Sequence, residues 1–400
     1  MEKLDKMCAA NVHLDDGLAA EILVRLPAKS VLRFRAVCKE WLRITSHPAF
    51  IAEHARRRPL EVLLYTRTTV GPNAVAHLEL DALSVDTHRL APRRTLARFP
   101  DPENAEPRNE FRPYCRLLGS CDGLLLLGIG RADDGAKQYL ICNPATRQWS
   151  DLPRLTNPDG RAVHQQELGF YFHEPTGEYR LLSYVYVSRQ APYYCVFSTG
   201  AEEPRRLGEQ ATTVVMEGFY GLMAHAILHG HMHWLNHMAG LTGQMLAFDT
   251  VAETFRWMPP PPVTRKAKTS LLVADGSLVA SEILLGQPLV DLWVLEGYGG
   301  TAERWERRHR VRVEVLCPTH RGKLQLAASG DGGDVVLGTR GGVVAYNMRS
   351  GTVRKVVGID TSRGGEAVLP LRSVFRESLV RHGFFDARPH PGLPLFSFRA

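Results

Sequence analysis

The stretch Leu246-Ala-Phe-Asp-Thr-Val-Ala-Glu-Thr-Phe-Arg-Trp257 reads as a short apolar strand, a polar turn opening at Asp249, and a second strand rich in aromatics. That order of strand formers, turn residues and strand formers is the hairpin signal. Comparable units lie on either side: Leu83–Leu90, Leu140–Trp149, Cys195–Gly200, Leu292–Gly297 leading to Trp305, and Val343–Val353. With Asp86, Asn143, Ser198, Asp249, Gly297 and Asn347 as turn anchors, the gaps are 57, 55, 51, 48 and 50 residues. A period near 50 is the length of one four-stranded propeller blade. A second hairpin fits between anchors. Candidates are Leu117–Leu127 around Asp122-Gly123, Leu168–Leu182 around Thr176-Gly177, Ala226–Leu235 around His229-Gly230, Leu271–Ala280 around Asp275-Gly276, and Leu324–Leu337 around Gly330–Gly333. From about residue 61 onward the chain is therefore expected to be all-β with period-two strands and six or close to six blades. Chain ends can add strands that close such a ring.

The first 58 residues have a different period. Leu18, Ile22 and Leu26 recur every four positions as one apolar stripe, and Pro27 ends that helix. Ser30 is the expected N-cap of a second helix carrying Val31, Phe34, Val37, Cys38 and Trp41, with Leu32 and Leu42 widening its apolar arc. Ala49–Arg58 makes a third. A unit of about 45 residues buries too little surface to be comfortably stable alone. Yet this one is apolar on more than one helical face, so it docks either on the rest of the chain or on a partner's helices. The fold class expected is α+β multidomain: a disordered stretch over 1–12, a three-helix domain over 13–58, and a β-propeller over 61–400.

Composition narrows the function classes. The chain has 400 residues, 44% hydrophobic and 23% charged, which is ordinary for a globular protein. No run approaches 18 apolar residues, so no membrane span is expected. The opening residues lack an apolar core, so no secretory signal is expected, and a cytoplasmic or nuclear location follows. The seven cysteines are widely spaced and form no Cys-x-x-Cys pair, which points to buried, reduced thiols. The net charge of +7 is spread thinly: residues 1–60 hold 11 Lys/Arg against 7 Asp/Glu, and only Arg56–Arg58 cluster. Phosphate tracking needs a longer basic stripe, so no nucleic-acid partner is expected.

Catalytic motifs are lacking. There is no P-loop, nucleophile elbow or His-Glu-x-x-His, and Gly128-Ile-Gly130 reads as a strand end. His229, His231 and His233 would share one face of a strand, with His225 and His237 nearby, but Gly230 falls among them and is expected to turn the chain. Asp133-Asp134 sits in a glycine-flanked loop and reads as solvated surface. The expectation is no metal, no cofactor and no catalytic residue.

Leu14 to Trp41 resembles the F-box motif through nearly its whole length, most diagnostically in Leu26-Pro27, Lys29-Ser30, Arg33-Phe34-Arg35, Val37-Cys38-Lys39 and Trp41. It departs where the usual proline after the first leucine is Asp15. The β half resembles the kelch-like F-box-associated domain of plant F-box proteins. The likeness is carried by Gly119–Leu127, Cys142–Trp149 with Leu152-Pro153, Leu168–Phe170, Pro175–Tyr179, His233–Leu235 and Phe248-Asp249. The resemblance implies the substrate receptor of a Skp–cullin–F-box (SCF) ubiquitin ligase. Its helices would bind a Skp-type adaptor, and through it a cullin, while the propeller holds a target protein. Adaptor contacts are then expected from Leu14, Asp15, Leu18, Ile22, Leu26, Pro27, Leu32, Val37, Cys38 and Trp41. The alternatives are an F-box scaffold acting outside any ligase and a ligand- or sugar-binding propeller.

Overall fold

The computed structural model describes residues 15–68, 77–84, 93–100, 114–130, 137–155, 163–187, 190–208, 226–235, 245–264, 268–283, 289–312, 325–329, 333–339, 342–358, 368–387 and 397–398. Residues 1–12, Leu14, Asp86, Asp133-Asp134, His225 and His237 lie outside these. Two units are distinguished. One is the helical segment through Arg58 together with Glu377–Arg381, and the other is Pro59–Arg376 with His382–Ala400.

The helical unit has four helices among the described residues: α1 (Asp16–Leu23), α2 (Ala28–Phe34), α3 (Lys39–Ser46) and α4 (Pro48–Arg57). The single second helix expected over Ser30–Trp41 is thus two. α2 tightens as Ala36 and Val37 donate to carbonyls three residues back, each at 3.1 Å. Cys38 is then fully extended (φ −155°, ψ 161°), and its Sγ accepts from the Trp41 amide at 3.4 Å. Arg35 leaves α2 and donates to the Thr45 carbonyl at the far end of α3, 2.8 Å away. Ser30 caps nothing. α2 starts two residues earlier, behind Pro27, which offers no side-chain acceptor. The orphan amide of Ala28 donates instead to Glu377 Oε2 at 2.9 Å in a buried setting. The apolar stripe is also displaced by one position: Ala19, Leu23 and Val24 are buried, together with Ala28, Val31, Ile44, Phe50 and Leu379.

In the second unit the described strands form six antiparallel sheets. The sheet nearest the helices in sequence contains β1 (Glu61–Thr68), β2 (His77–Ser84) and β3 (Arg94–Pro100). The next holds β4 (Tyr114–Cys121), β5 (Leu124–Gly130), β6 (Gln138–Asn143) and β7 (Gln148–Asp151). β8 (Val163–His173), β9 (Glu178–Val187), β10 (Tyr193–Ser198) and β11 (Arg205–Arg206) make the third. β12 (Ala226–Leu228), β13 (His231–Leu235), β14 (Met245–Asp249) and β15 (Thr254–Met258) make the fourth. The fifth is β16 (Lys268–Ala274), β17 (Ser277–Ile283), β18 (Leu289–Glu296) and β19 (Arg304–Arg312). The sixth is β20 (Gln325–Ser329), β21 (Asp334–Thr339), β22 (Gly342–Asn347) and β23 (Thr352–Gly358).

Closure comes from the carboxy-terminal region. β24 (Val368–Phe375) pairs with β1, and β25 (Ser397–Phe398) pairs with β3, giving the order β24-β1-β2-β3-β25. β20 packs beside β24 and β24 beside β4, so the last long strand takes the inner place in the first blade. The result is a six-bladed propeller.

Strict period-two alternation fails in several strands, and the blade stack explains why. Leu124 and Leu126 of β5 enter a cluster with Phe170, Leu181 and Phe197 of the following blade. Leu125 and Leu127 enter another with Leu63, Leu80 and Phe99 of the preceding one. A blade buried on both faces has no solvent side, so its inner strands read as continuous apolar runs. Blades three and four are further tied by Trp234, which donates to the Leu168 carbonyl at 3.0 Å, and by Glu253. The Glu253 carboxylate accepts from Tyr171 Oη at 3.0 Å, from Arg180 at 2.7 Å, and from Arg205.

Candidate functional site

Among the described residues no three His, Cys, Asp or Glu side chains converge as metal ligands. Gly230 does turn the chain, at φ +73°, with His229 beside it at +48°. His233 is fully buried and spans between the Ala226 carbonyl and the Tyr298 hydroxyl at 3.0 and 2.9 Å. Gly128 and Gly130 lie at the end of β5. Cys115, Cys142 and Cys195 are buried thiols and Cys121 is partly so. Cys38, expected to be buried, is exposed because it caps α3.

The helical unit presents its apolar surface instead. Among the described residues nine large hydrophobic side chains are exposed, and four of these belong to this short unit: Leu18 (53%), Ile22 (45%), Val37 (61%) and Leu42 (46%). Leu18 and Ile22 sit one turn apart on α1, and Val37 and Leu42 flank the start of α3. α1 and α3 pack against each other, and Arg43 of α3 meets the Asp16 carboxylate of α1 at 2.6 Å.

Each expected contact residue now has a place. Leu18, Ile22, Pro27, Val37 and Cys38 are exposed. Leu26, Leu32 and Trp41 are half-buried; Trp41 stands edge-on to Phe34 at 5.2 Å, and the Leu26 carbonyl accepts from His54 Nε2 at 2.9 Å. Asp15 is the N-cap of α1, its Oδ2 accepting from the Gly17 amide at 3.1 Å. The residue that departs from the F-box pattern thus satisfies an amide that proline in its place would leave to water. Gly17 suits that cap, since a Cβ there would lie 3.0 Å from the Asp15 carboxylate. Leu42, which the sequence offers only as a widening of the second helix's apolar arc, is exposed as well. Its signal was the step of one residue past Trp41, which turns it about 100° away from that ring.

A second feature lies on another side of α1. A cleft of about 450 Å³ between α1, α3 and α4 is walled by Ala20, Val24, Ile44 and Phe50 and rimmed by Asp16, Glu21 and Glu53. Its acids are already paired: Asp16 with Arg43, Glu21 with Arg25 and Arg57, Glu53 with Arg56 and Arg57. Leu18 and Ile22 do not line it. The exposed stripe and the cleft are therefore separate surfaces.

Comparison with known proteins matches both units. Residues 13–52 match the F-box domain, and residues 84–331 match the F-box associated beta propeller domain. Curated relatives from Arabidopsis thaliana agree over most of the chain. F-box protein At5g49610 is 25% identical over 389 residues, spanning 91% of this chain and 96% of that one. F-box protein At3g07870 is 24% identical over 325 residues, 74% of this chain and 72% of that one. F-box/kelch-repeat protein At3g23880 is 24% identical over 345 residues, 83% of this chain and 86% of that one. With a domain match covering more than half its length, this chain belongs to the F-box proteins that carry an F-box associated beta propeller.

Proposed function

We propose that this protein is the substrate-recognition subunit of an SCF ubiquitin ligase. Its helical unit binds a Skp-type adaptor, the adaptor links it to a cullin, and the propeller holds the target protein. The chain itself contributes proximity and no bond chemistry: a target kept beside a charged conjugating enzyme reacts at a high effective concentration. It works where the adaptor does, in cytoplasm or nucleus.

One observation carries this reading, the four exposed apolar side chains Leu18, Ile22, Val37 and Leu42. Complete burial of such a side chain contributes about 1.5–3 kcal/mol, and these are already about half covered. Burying the remainder of all four contributes roughly 3–6 kcal/mol before association costs, enough to matter in a protein interface. Pro27, Cys38 and the exposed edge of Trp41 extend the contact.

The test is a pull-down of purified chain with a plant Skp-type adaptor. Leu26 and Trp41 are poor positions to mutate because both are half-buried and support the fold. The useful variants are Leu18→Asp with Ile22→Asp, and separately Val37→Asp with Leu42→Asp. Each pair is expected to weaken adaptor binding by about a hundredfold while leaving the melting temperature unchanged. Failure of folded wild type to bind the adaptor, or full binding by both variants, overturns the reading. Adaptor binding without recruitment of a cullin would instead favour a scaffold outside the ligase.

A further inference from the structure

Blades four and five are joined by Met258-Pro259-Pro260-Pro261-Pro262-Val263. The covalent chemistry of this run fixes its shape. Each proline holds φ near −65°, and each residue that precedes a proline is driven out of the helical region. Residues 258–261 all precede one, so the run is extended polyproline II, with three residues per turn and a rise of about 3.1 Å. Pro259 and Pro262 then project along one edge, about 9 Å apart.

Burial follows that period. Pro261 is buried and Pro260 half-buried, whereas Pro259 and Pro262 are exposed. The inner edge is clamped to the fifth blade. Trp305 Nε1 donates to the Pro259 carbonyl at 2.8 Å. The Val263 amide closes a tight turn onto the Pro261 carbonyl at 2.8 Å. The Thr264 amide donates to Glu282 Oε1 at 2.8 Å, and the other oxygen of that buried carboxylate accepts from Trp293 Nε1 at 3.1 Å. No hydrogen bond among the described residues uses the carbonyls of Pro260 or Pro262. Two residues before Pro259, Trp257 is 48% exposed.

We infer that Trp257–Pro262 is a docking ligand for a polyproline-reading domain, one whose aromatic-lined groove accepts prolines at i and i+3. Such grooves recognise a chain already in polyproline II and draw affinity from the small ordering entropy it has left to lose. Here that entropy is lost during folding, because the bonds from Trp305 and to Glu282 hold the run to the fifth blade and leave its outer edge presented. The exposed indole of Trp257 is the large aromatic anchor that protein interfaces favour. Arg265, Lys266 and Lys268 follow closely in sequence, so a groove with an acidic rim matches best. This contact uses neither the helical unit nor the adaptor.

The experiment titrates the full chain, without adaptor, into purified SH3, WW and EVH1 domains, each first validated on a free proline-rich peptide. At least one domain is expected to bind wild type, and Pro259→Ala with Pro262→Ala is expected to bind about tenfold more weakly with an unchanged melting temperature. Should that pair not fold, Pro262→Lys alone, at an exposed position, is expected to give the same loss. Two outcomes overturn the inference: no binding by any domain to folded wild type, including the case where a free peptide spanning 256–266 binds, and equal binding by the variants.

Discussion

Single residues in this protein do work that their neighbours in sequence do not announce. His233 belongs to a histidine-rich run that invites a metal reading, yet it is a neutral strut between blades. Its Nδ1 lies 3.0 Å from the Ala226 carbonyl, which can only accept, so Nδ1 carries the proton and Nε2 accepts from the Tyr298 hydroxyl at 2.9 Å. Burial, with His231 and Arg256 adding positive charge against the opposing pull of the Ala226 hydrogen bond and Glu303, pushes its pKa down to about 4. The neutral form is therefore the folded form. An unfolded chain takes up a proton at this histidine below about pH 6.5, while the folded one resists until about pH 4. The stability His233 contributes is complete above pH 6.5 and is lost as the pH falls toward 4, about 3 kcal/mol in all. Urea melts at pH 7.5 and 4.5 test this on the difference between wild type and His233→Gln, which cancels the titrating carboxylates. The stability gap between the two should shrink by about 2–3 kcal/mol at the lower pH; parallel profiles would refute the role. Asp15 and Glu377 make the same point for the helical unit. The Asp15 cap was legible as a departure from the motif but not as a cap. Glu377 could not be found locally, because the amide it satisfies is 349 positions away.

At the scale of elements, the sequence repeat turns out to be a repeat of turn chemistry. Asn143, Asp249 and Asn347 each close the third strand of their blade. Each side-chain Oδ1 then accepts from the amides two and three residues on, at 3.0 and 3.4 Å, 2.8 and 2.9 Å, and 3.1 and 2.9 Å respectively. Four residues past each anchor the chain turns left-handed, at Arg147 (φ 59°), Glu253 (53°) and Gly351 (68°). Asn and Asp suit these three anchors because their side-chain oxygen reaches the amide two residues on, a bond that Ser and Thr make more weakly. The hairpins between first and second strands share a different device, a two-residue turn with both φ positive at Asp122-Gly123, His229-Gly230 and Asp275-Gly276. Arg147, like Glu253, is a bulky residue where Gly351 stands in the sixth blade, and unlike Glu253 it is exposed. Arg147→Gly removes the left-handed cost at the expense of some chain entropy, and a net gain of about 0.5–1 kcal/mol is expected in denaturant melts. A loss of stability would show that Arg147 makes a contact outweighing its backbone strain. The helices were less legible than the turns. Of the stripe Leu18, Ile22, Leu26 only the first two lie on α1, which ends at Leu23 and not at Pro27, and periodicity does not say which apolar face is core. Ala19, Leu23 and Val24 take the core face, and Leu18 and Ile22, one position off it, stay outside.

Over the whole molecule, the blade count could be read from a period near 50, but the closing strand could not. β24 meets β1 some 300 residues away in sequence, Glu61 opposite Phe375 and Thr66 opposite Val368, with a register shift between Val62 and Leu64. Its sequence, Val-Leu-Pro-Leu-Arg-Ser-Val-Phe, contains a proline, which fits a strand that pairs on one side only, as β24 does at the edge of its sheet. Packing holds the strand in place, since Phe375 completes the cluster of Leu63, Phe99 and Leu125 at the seam between the first two blades. The chain then continues directly into Glu377 and Leu379, which cap and fill the helical unit. One short segment therefore completes two separate cores. A chain ending at Ala367 should lose both. Removing a buried phenylalanine alone costs about 3–5 kcal/mol, and the β24 ladder is lost with it, so the melting temperature should fall on the order of 10 °C or more. Limited proteolysis should then cut first within β1–β3. Glu377→Ala separates the two effects, since it should weaken the helical unit while leaving β1–β3 protected. A peptide spanning 366–387, added to the truncated chain, should restore protection of β1–β3 if ring closure is the cause. Unchanged melting and protease resistance in the truncated chain would mean that the propeller holds its first blade without the closing strand.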